Sequence, residues 1–147
     1  MNWKIKAFDE LTVQELYEVL HLRSEIFIVE QNCAYQDLDN TDQQALHLMG
    51  RNDEGVLVAY TRLFGPGIKY TETSIGRVIT SSLVRGTGAG RELMEKSIAA
   101  VEEAYGKGPI KIGAQQYLQR FYTSLGFEQT SDTYMEDGIP HIEMVKP

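Results

Sequence analysis

Arg85 to Gly90 read RGTGAG, with the run Ile75, Gly76, Arg77, Val78, Ile79 and Thr80 just upstream and an amphipathic run just downstream. Strand, glycine-rich turn and helix in that order leave backbone N–H groups free at a helix N-terminus, where the macrodipole also favours negative charge. Glycine at Gly86, Gly88 and Gly90 removes the Cβ atoms that would keep a ligand off the main chain. The segment predicts a pyrophosphate-binding turn. A Walker loop needs Gly-Lys followed by Ser or Thr, so that an ammonium and a metal-binding hydroxyl meet the terminal phosphates. Here Gly90 is followed by Arg91 and Glu92, which argues against ATP or GTP hydrolysis. A dinucleotide fingerprint needs an acid at the tip of the next strand, whereas Glu102 and Glu103 lie inside the helical run.

The 147 residues suit one domain, 1–147, with room for a hydrophobic core. Cys33 is the lone cysteine, and the start MNWKIKAFDE lacks the apolar stretch of a secretory leader, so a cytoplasmic protein is expected. No apolar run nears the roughly 18 residues of a membrane span, and there is no internal repeat. The net charge is −7, from 14 basic and 21 acidic side chains. That balance opposes attraction to nucleic acid or to anionic membrane and mildly favours a cationic small molecule. The expected assembly is a monomer or homodimer.

Alternation over Lys4 to Phe8 predicts a first strand, and Thr12 to Glu15 forms a capping box that opens a helix. Leu16, Val19, Leu20, Arg23 and Phe27 make its buried stripe, through about residue 29. Ala45–Arg51 and Val56–Phe64 read as a hairpin around Asn52, Asp53, Glu54 and Gly55. Thr73–Ser81 is the strand that feeds the glycine turn, and the helix beyond it carries Leu93, Ser97, Ala100, Val101 and Ala104 on one face before Gly106 stops it. A strand over Ile110–Ala114, a short helix over Tyr117–Ser124 and a terminal hairpin of Phe127–Met135 and His141–Lys146 complete the series.

Several blocks of this order together resemble one family. Arg85, Gly88 and Gly90 fit the R/Q-x-x-G-x-G/A coenzyme A loop of the GCN5-related N-acetyltransferases (GNAT), and Phe121, Tyr122, Leu125, Gly126 and Phe127 follow at that family's spacing. Leu22, Arg23, Ile26, Phe27, Glu30, Gln31, Asp39, Asp42, His47 and the ending Glu136 to His141 resemble its ElaA-like branch of small bacterial enzymes. The resemblance implies an α/β (α+β) acyl-CoA N-acyltransferase fold: a mixed twisted sheet of about seven strands with helices on both faces. It implies acetyl-CoA as cofactor, coenzyme A as product, and acetyl transfer to a small-molecule amine acceptor by direct attack through a tetrahedral intermediate. No metal is needed.

The same resemblance distributes roles. The Val78 to Ser81 edge would take the pantetheine arm, with an N–H of Ile79 or Thr80 stabilising the developing oxyanion. The amides of Gly86, Thr87, Gly88, Ala89 and Gly90 would hold the pyrophosphate, with charge from Arg85 and Arg91. Gln115 stands where many relatives have Asn. Tyr122 matches the general acid: a phenol of pKa about 10 is protonated at neutral pH and can serve a thiolate whose parent thiol is near 8.5. For the base, Glu30, Asp137 and His141 are all eligible. Arg62 and Arg77 either join an ion-pair network with Glu25, Glu30, Asp39 or Asp42, or one of them holds a substrate carboxylate bidentately. His47 reads as a satisfied strand histidine. Cys33 offers an acyl-cysteine route, without a cationic neighbour in the sequence to activate it. The competing functions are a non-catalytic acyl-CoA-binding module and an acyl-homoserine lactone synthase-like enzyme, which RGTGAG and EDGIPH fit poorly.

Overall fold

Thr12 opens helix α1 (Val13–Arg23) by reciprocal capping: its Oγ1 accepts the Glu15 N–H at 3.0 Å, and the Glu15 carboxylate accepts the Thr12 N–H at 2.9 Å. Lys6 donates to the same carboxylate at 2.8 Å. Burial alone would raise the pKa of this acid, but the bonds from Lys6 and Thr12 hold it at about 2. The helix runs on as a π-helical segment, Ser24–Glu30, to within a residue of its expected end. Val19, Leu22, Arg23 and Ile26 form the buried row, while Leu16, Leu20 and Phe27 are only half-buried. The row is turned so that Arg23 meets the carboxylates of Asp37 and Asp42.

The computed structural model describes Met1–Pro147. Strands β1 (Asn2–Ala7), β2 (Leu46–Arg51), β3 (Leu57–Phe64) and β4 (Thr73–Thr80) pair in succession, all antiparallel. Between β2 and β3, Asn52 Oδ1 accepts the N–H groups of Glu54 and Val56 at 3.1 and 2.9 Å, the expected turn chemistry. Helix α2 (Ala89–Tyr105) carries the chain over to β5 (Ile110–Gln115), parallel to β4. Helix α3 (Gln119–Thr123) then leads to β6 (Glu128–Gln129), β7 (Tyr134–Glu136) and β8 (Ile139–Lys146). The sheet order is β1-β2-β3-β4-β5-β8-β6, with β7 also on β8.

The sheet therefore has eight strands, because the expected single strand Phe127–Met135 is split. Glu143 donates its N–H to Ser131 Oγ at 2.9 Å, and Thr130 donates to Glu143 O at 2.9 Å. A hydroxyl that replaces a strand carbonyl satisfies one rung but cannot continue the ladder, so β6 and β7 pair separately with β8.

Both faces are covered, as expected. Val19, Leu22 and Ile26 pack with Met49, Tyr60 and Ile79 on one side, and Leu93, Met94 and Val101 pack with Leu48, Ala59 and Leu63 on the other. Neighbours such as Leu48 and Met49 fall on opposite sides because strand side chains alternate. The α2 face lacks only Ala104, which is exposed. Ser97 Oγ donates to Leu93 O and so receives the Thr61 hydroxyl, both at 2.8 Å, which pins α2 against β3. No helix is long and apolar enough to cross a membrane.

The register of β3 on β4 passes from Arg62↔Gly76 to Tyr60↔Ile79, so β4 carries one extra residue, a bulge. Arg77 lies within it at φ 50°, a left-handed backbone that side chains other than glycine rarely adopt. Pairing between β4 and β5 stops at Thr73↔Ile110 and Ser74↔Lys111, although both strands continue. Their C-terminal halves part.

Replacing Thr12 with Ala is expected to cost about 1 kcal/mol of folding free energy, seen as a lower urea midpoint at constant slope. Coincident unfolding curves would show that the start of α1 is fixed by packing rather than by its cap.

Candidate active site

A cleft of about 770 Å³ occupies the gap between β4 and β5. Ile75 to Thr80 and Ile112 to Gln115 form its strand walls; Glu30 and Gln31, Tyr117 to Tyr122, and the Glu136–His141 hairpin close the rest. Carboxyl ends of adjacent parallel strands are where open α/β sheets place ligands, since the chain leaves both strands there and uncovers the edge. Ser81 donates its N–H to Val58 O at 2.7 Å, towards β3. Strand alternation turns the Thr80 N–H the opposite way, to the cleft, and commits that of Ile79 to β3.

Ser81 Oγ accepts the Leu83 N–H at 3.2 Å and starts a 310 turn, Ser82–Val84, to which the Thr87 hydroxyl donates back at Val84 O. Gly86 and Gly88 then take φ of 78° and 84°. Gly88 is the N-cap of α2 and supplies no side-chain acceptor. The first helical bond runs from Glu92 N–H to Gly88 O at 3.1 Å, so the N–H groups of Ala89, Gly90 and Arg91 are left without protein partners. Arg85 and Gly90 line the cleft, whereas Gly86, Thr87, Gly88, Ala89 and Arg91 lie outside its lining. The Arg91 side chain turns to Ser124 Oγ at 3.0 Å and to Glu95 at 3.4 Å, away from the expected anion. Arg85 reaches Thr80 O at 3.3 Å and pairs with Glu30 across the mouth.

Tyr122 is 5% exposed, set edge-to-face against Phe121 and Phe127 at 5.2 and 5.9 Å. Burial pushes its phenol pKa up, so it is protonated at any ordinary pH. Its residue lines the cleft, and its hydroxyl is not among the sealed, unpartnered polar atoms. His141 stacks on Tyr134 and places Nδ1 2.7 Å from Ile139 O. A carbonyl only accepts, so the neutral ring carries its proton on Nδ1 and its lone pair on Nε2, 3.4 Å from Glu136 Oε2. Asp137 and Gly138, at φ 50° and 77°, make the two-residue hairpin turn, and Asp137 O accepts the Cys33 thiol at 3.2 Å. Gln115 Nε2 donates to Gln31 Oε1 at 3.4 Å.

Beside this cleft lies a cluster of charge. Arg23, fully buried, binds Asp37 at 2.9 Å and Asp42 at 2.8 Å. Arg62 binds Asp39 at 2.8 Å and Asp42 at 2.9 Å, and Arg77 binds Asp37 at 2.7 Å. Lys69 caps Asp39 at 3.0 Å. Burial would raise the acids Asp39 and Asp42, but the guanidinium groups hold both well below the usual carboxylate range. Of the two arginines, Arg62 is 2% exposed and absent from the cleft wall, while Arg77 lines it. Glu25 and Glu30 stand outside the network. Asp37, Tyr35 and Lys69 were not singled out by sequence; the spacing Asp37, Asp39, Asp42 opposite buried arginines is the signal that points to them.

His47, also buried, presents Nε2 to Asp42 O at 2.9 Å, so that nitrogen carries the proton and Nδ1 accepts from the Tyr60 hydroxyl at 2.5 Å. Burial, reinforced by Arg23 and Arg62, depresses its pKa despite the opposing pull of Asp42.

Residues 10–147 match the family described as Acetyltransferase (GNAT) domain. The chain is 42% identical to Protein ElaA of Escherichia coli K12, covering 99% of this chain and 96% of that protein. It is 41% identical to UPF0039 protein sll0451 of Synechocystis, covering 99% and 94%. The crystal structure of an acyl-CoA N-acyltransferase from Pseudomonas aeruginosa superposes with a TM-score of 0.94 at 41% identity over 100% of both chains. That of E. coli ElaA gives 0.91 at 40%, again over 100% of both.

Removing Arg62 takes from the buried Asp42 one of its two cations and from Asp39 its bidentate partner, so Arg62→Leu is expected to destabilise the fold by about 3 kcal/mol, the low end for a broken buried ion pair, measured by denaturant unfolding. His47 has a folded-state pKa below its unfolded value of about 6.5, so the unfolded chain binds the proton more tightly. The stability owed to neutral His47 is therefore complete above about pH 6.5 and declines as pH falls towards the folded pKa; Asp39 and Asp42 add their loss only below about pH 3.9. His47→Gln is expected to flatten the pH dependence of Tm just below neutrality, and an unaltered slope would assign it to another group.

Proposed function

This chain belongs to the GNAT acetyltransferase family, in its ElaA-like branch, and we propose that it transfers the acetyl group of acetyl-CoA directly to the amine of a small acceptor. The observation that carries the reading is one cleft that runs from Gly90, at the partnerless start of α2, along an unpaired β4 edge to the buried Tyr122 phenol.

These residues fit the coenzyme on their own geometry. Orphaned donors at Ala89, Gly90 and Arg91 suit a pyrophosphate, with Gly86 and Gly88 adding no side chains and Arg85 adding charge. The open edge at Val78 and Thr80 suits the amides of a pantetheine arm, and Gln115 offers a side-chain amide on the facing strand. Bound there, acetyl-CoA supplies the acyl group as an activated thioester.

The chain's own groups do the rest. Thr80 N–H, rather than that of Ile79, stabilises negative charge developing on the carbonyl oxygen. His141 Nε2 takes the ammonium proton, with Glu136 beside it to steady the imidazolium. It is preferred over Glu30, which is more than two-fifths open to water, and over Asp137, which sits in the turn. Tyr122 holds its proton for the leaving sulfur. Burial lifts the phenol pKa, so proton transfer to the leaving thiolate depends on positioning in the cleft rather than on a favourable difference in acidity. Cys33 has no part in direct transfer.

Calorimetry with acetyl-CoA, followed by thiol release against a panel of amines, tests the reading; binding without amine-dependent thiol would make this a sensing module instead. Tyr122→Phe is expected to lower kcat by about 100-fold or more while acetyl-CoA affinity changes little. A variant as fast as the wild type would remove the phenol from the mechanism.

A further inference from the structure

One end of the cleft bears positive charge that acetyl transfer does not use. Arg77 and Lys69 line it, with Tyr35, Gln36 and Asp39. Arg77 commits Nε to Asp37 Oδ1 at 2.7 Å and Nη2 to Asp37 O at 2.9 Å, which leaves Nη1 unpartnered and not sealed from solvent. Lys69 gives one proton to Asp39 at 3.0 Å and keeps two.

The charges behind these two side chains do not cancel. Arg23, Arg62, Arg77 and Lys69 face Asp37, Asp39 and Asp42, four cations against three carboxylates. Within the cluster no further side chain carries a negative charge: the Tyr35 hydroxyl is a donor to Asp37, and the Tyr60 hydroxyl is a donor to His47. The same cleft is lined by Glu136 and Asp137, beside His141. The acceptor end thus offers cations on Arg77 and Lys69 and carboxylates on the Glu136–His141 hairpin, although the whole chain is acidic.

Resting on the acetyl-transfer reading, we propose that the acceptor is an amine that also carries a carboxylate. The carboxylate sits on Arg77 Nη1 and Lys69 Nζ, and the amine is drawn to Glu136, Asp137 and His141. One negative charge answers the single surplus positive one. The two-pronged clamp of a free arginine is not open to this ligand, because Asp37 already holds two of the three Arg77 nitrogens; Lys69 supplies the second contact.

Amines tested in pairs, such as phenylalanine with phenethylamine and lysine with cadaverine, together with phosphoethanolamine, decide the point by thiol release from acetyl-CoA and by calorimetry in the presence of coenzyme A. Carboxylate-bearing members are expected to show kcat/KM at least about tenfold above their decarboxylated partners. Lys69→Met should erase most of that preference through KM while the KM for acetyl-CoA stays put, and Arg77→Lys should weaken it in the same direction. Equal or better turnover of the decarboxylated amines, or a preference that survives Lys69→Met, overturns the proposal, as does a preference for the phosphoryl amine. If no amine releases thiol, binding separates the two readings. Carboxylate-dependent binding that Lys69→Met abolishes supports this proposal while acetyl transfer fails, and absence of any such binding overturns it.

Discussion

Arg77 keeps a left-handed backbone in the middle of an extended strand, and it does so with its guanidinium fastened to both the side chain and the main chain of Asp37. Such a backbone costs on the order of 1–2 kcal/mol for a residue with a Cβ, a cost that charge-assisted hydrogen bonds of similar size offset. With the extra residue in place, β4 bends off its path and β5 follows it for only two residue pairs. Backbone donors on the β4 edge then face open space instead of a neighbouring strand. The cleft exists because a ladder was interrupted, and the interruption is held by an ion pair.

That ion pair belongs to a larger fastening. The chain from Gln31 to Thr41 forms neither helix nor strand and has no ladder to anchor it. Asp37, Asp39 and Asp42 take over that task, each bound by at least two cations from α1, β3, β4 or the Lys69 loop. Buried charge tolerates few arrangements, so the cluster specifies a single path for the loop more than it adds net stability. The same side chains that tie the loop down present Arg77, Lys69 and Asp39 to the cleft. Fastening and wall are one structure.

Local chemistry made most of the fold readable in advance. The Thr12 capping box, the Asn52 turn, the glycine stop at Gly106 and the apolar alternation of β2 and β3 each follow from neighbours within a few residues, and each element formed where those neighbours put it. The split between β6 and β7 was not readable, because it depends on Ser131 reaching a residue twelve positions on. The bulge was hidden for a similar reason: glycine commonly marks such a kink, and here Arg77 occupies it through a contact forty positions away in sequence. Of the candidate site, the glycine turn and Tyr122 announced themselves by spacing. The direction of Arg91, the engagement of Glu30 and the hydrogen bond of His141 are matters of side-chain orientation, which spacing does not carry.

Not all of the ion pairs are alike in how firmly they hold. Arg23 and Arg62 are sealed in, whereas Arg85 and Glu30 each remain more than two-fifths open to water. An exposed pair of that kind contributes on the order of 0–1 kcal/mol, little more than thermal energy. Arg85 is therefore parked rather than locked: aimed and kept from wandering, yet surrendered almost without toll to any stronger anion that arrives at the turn.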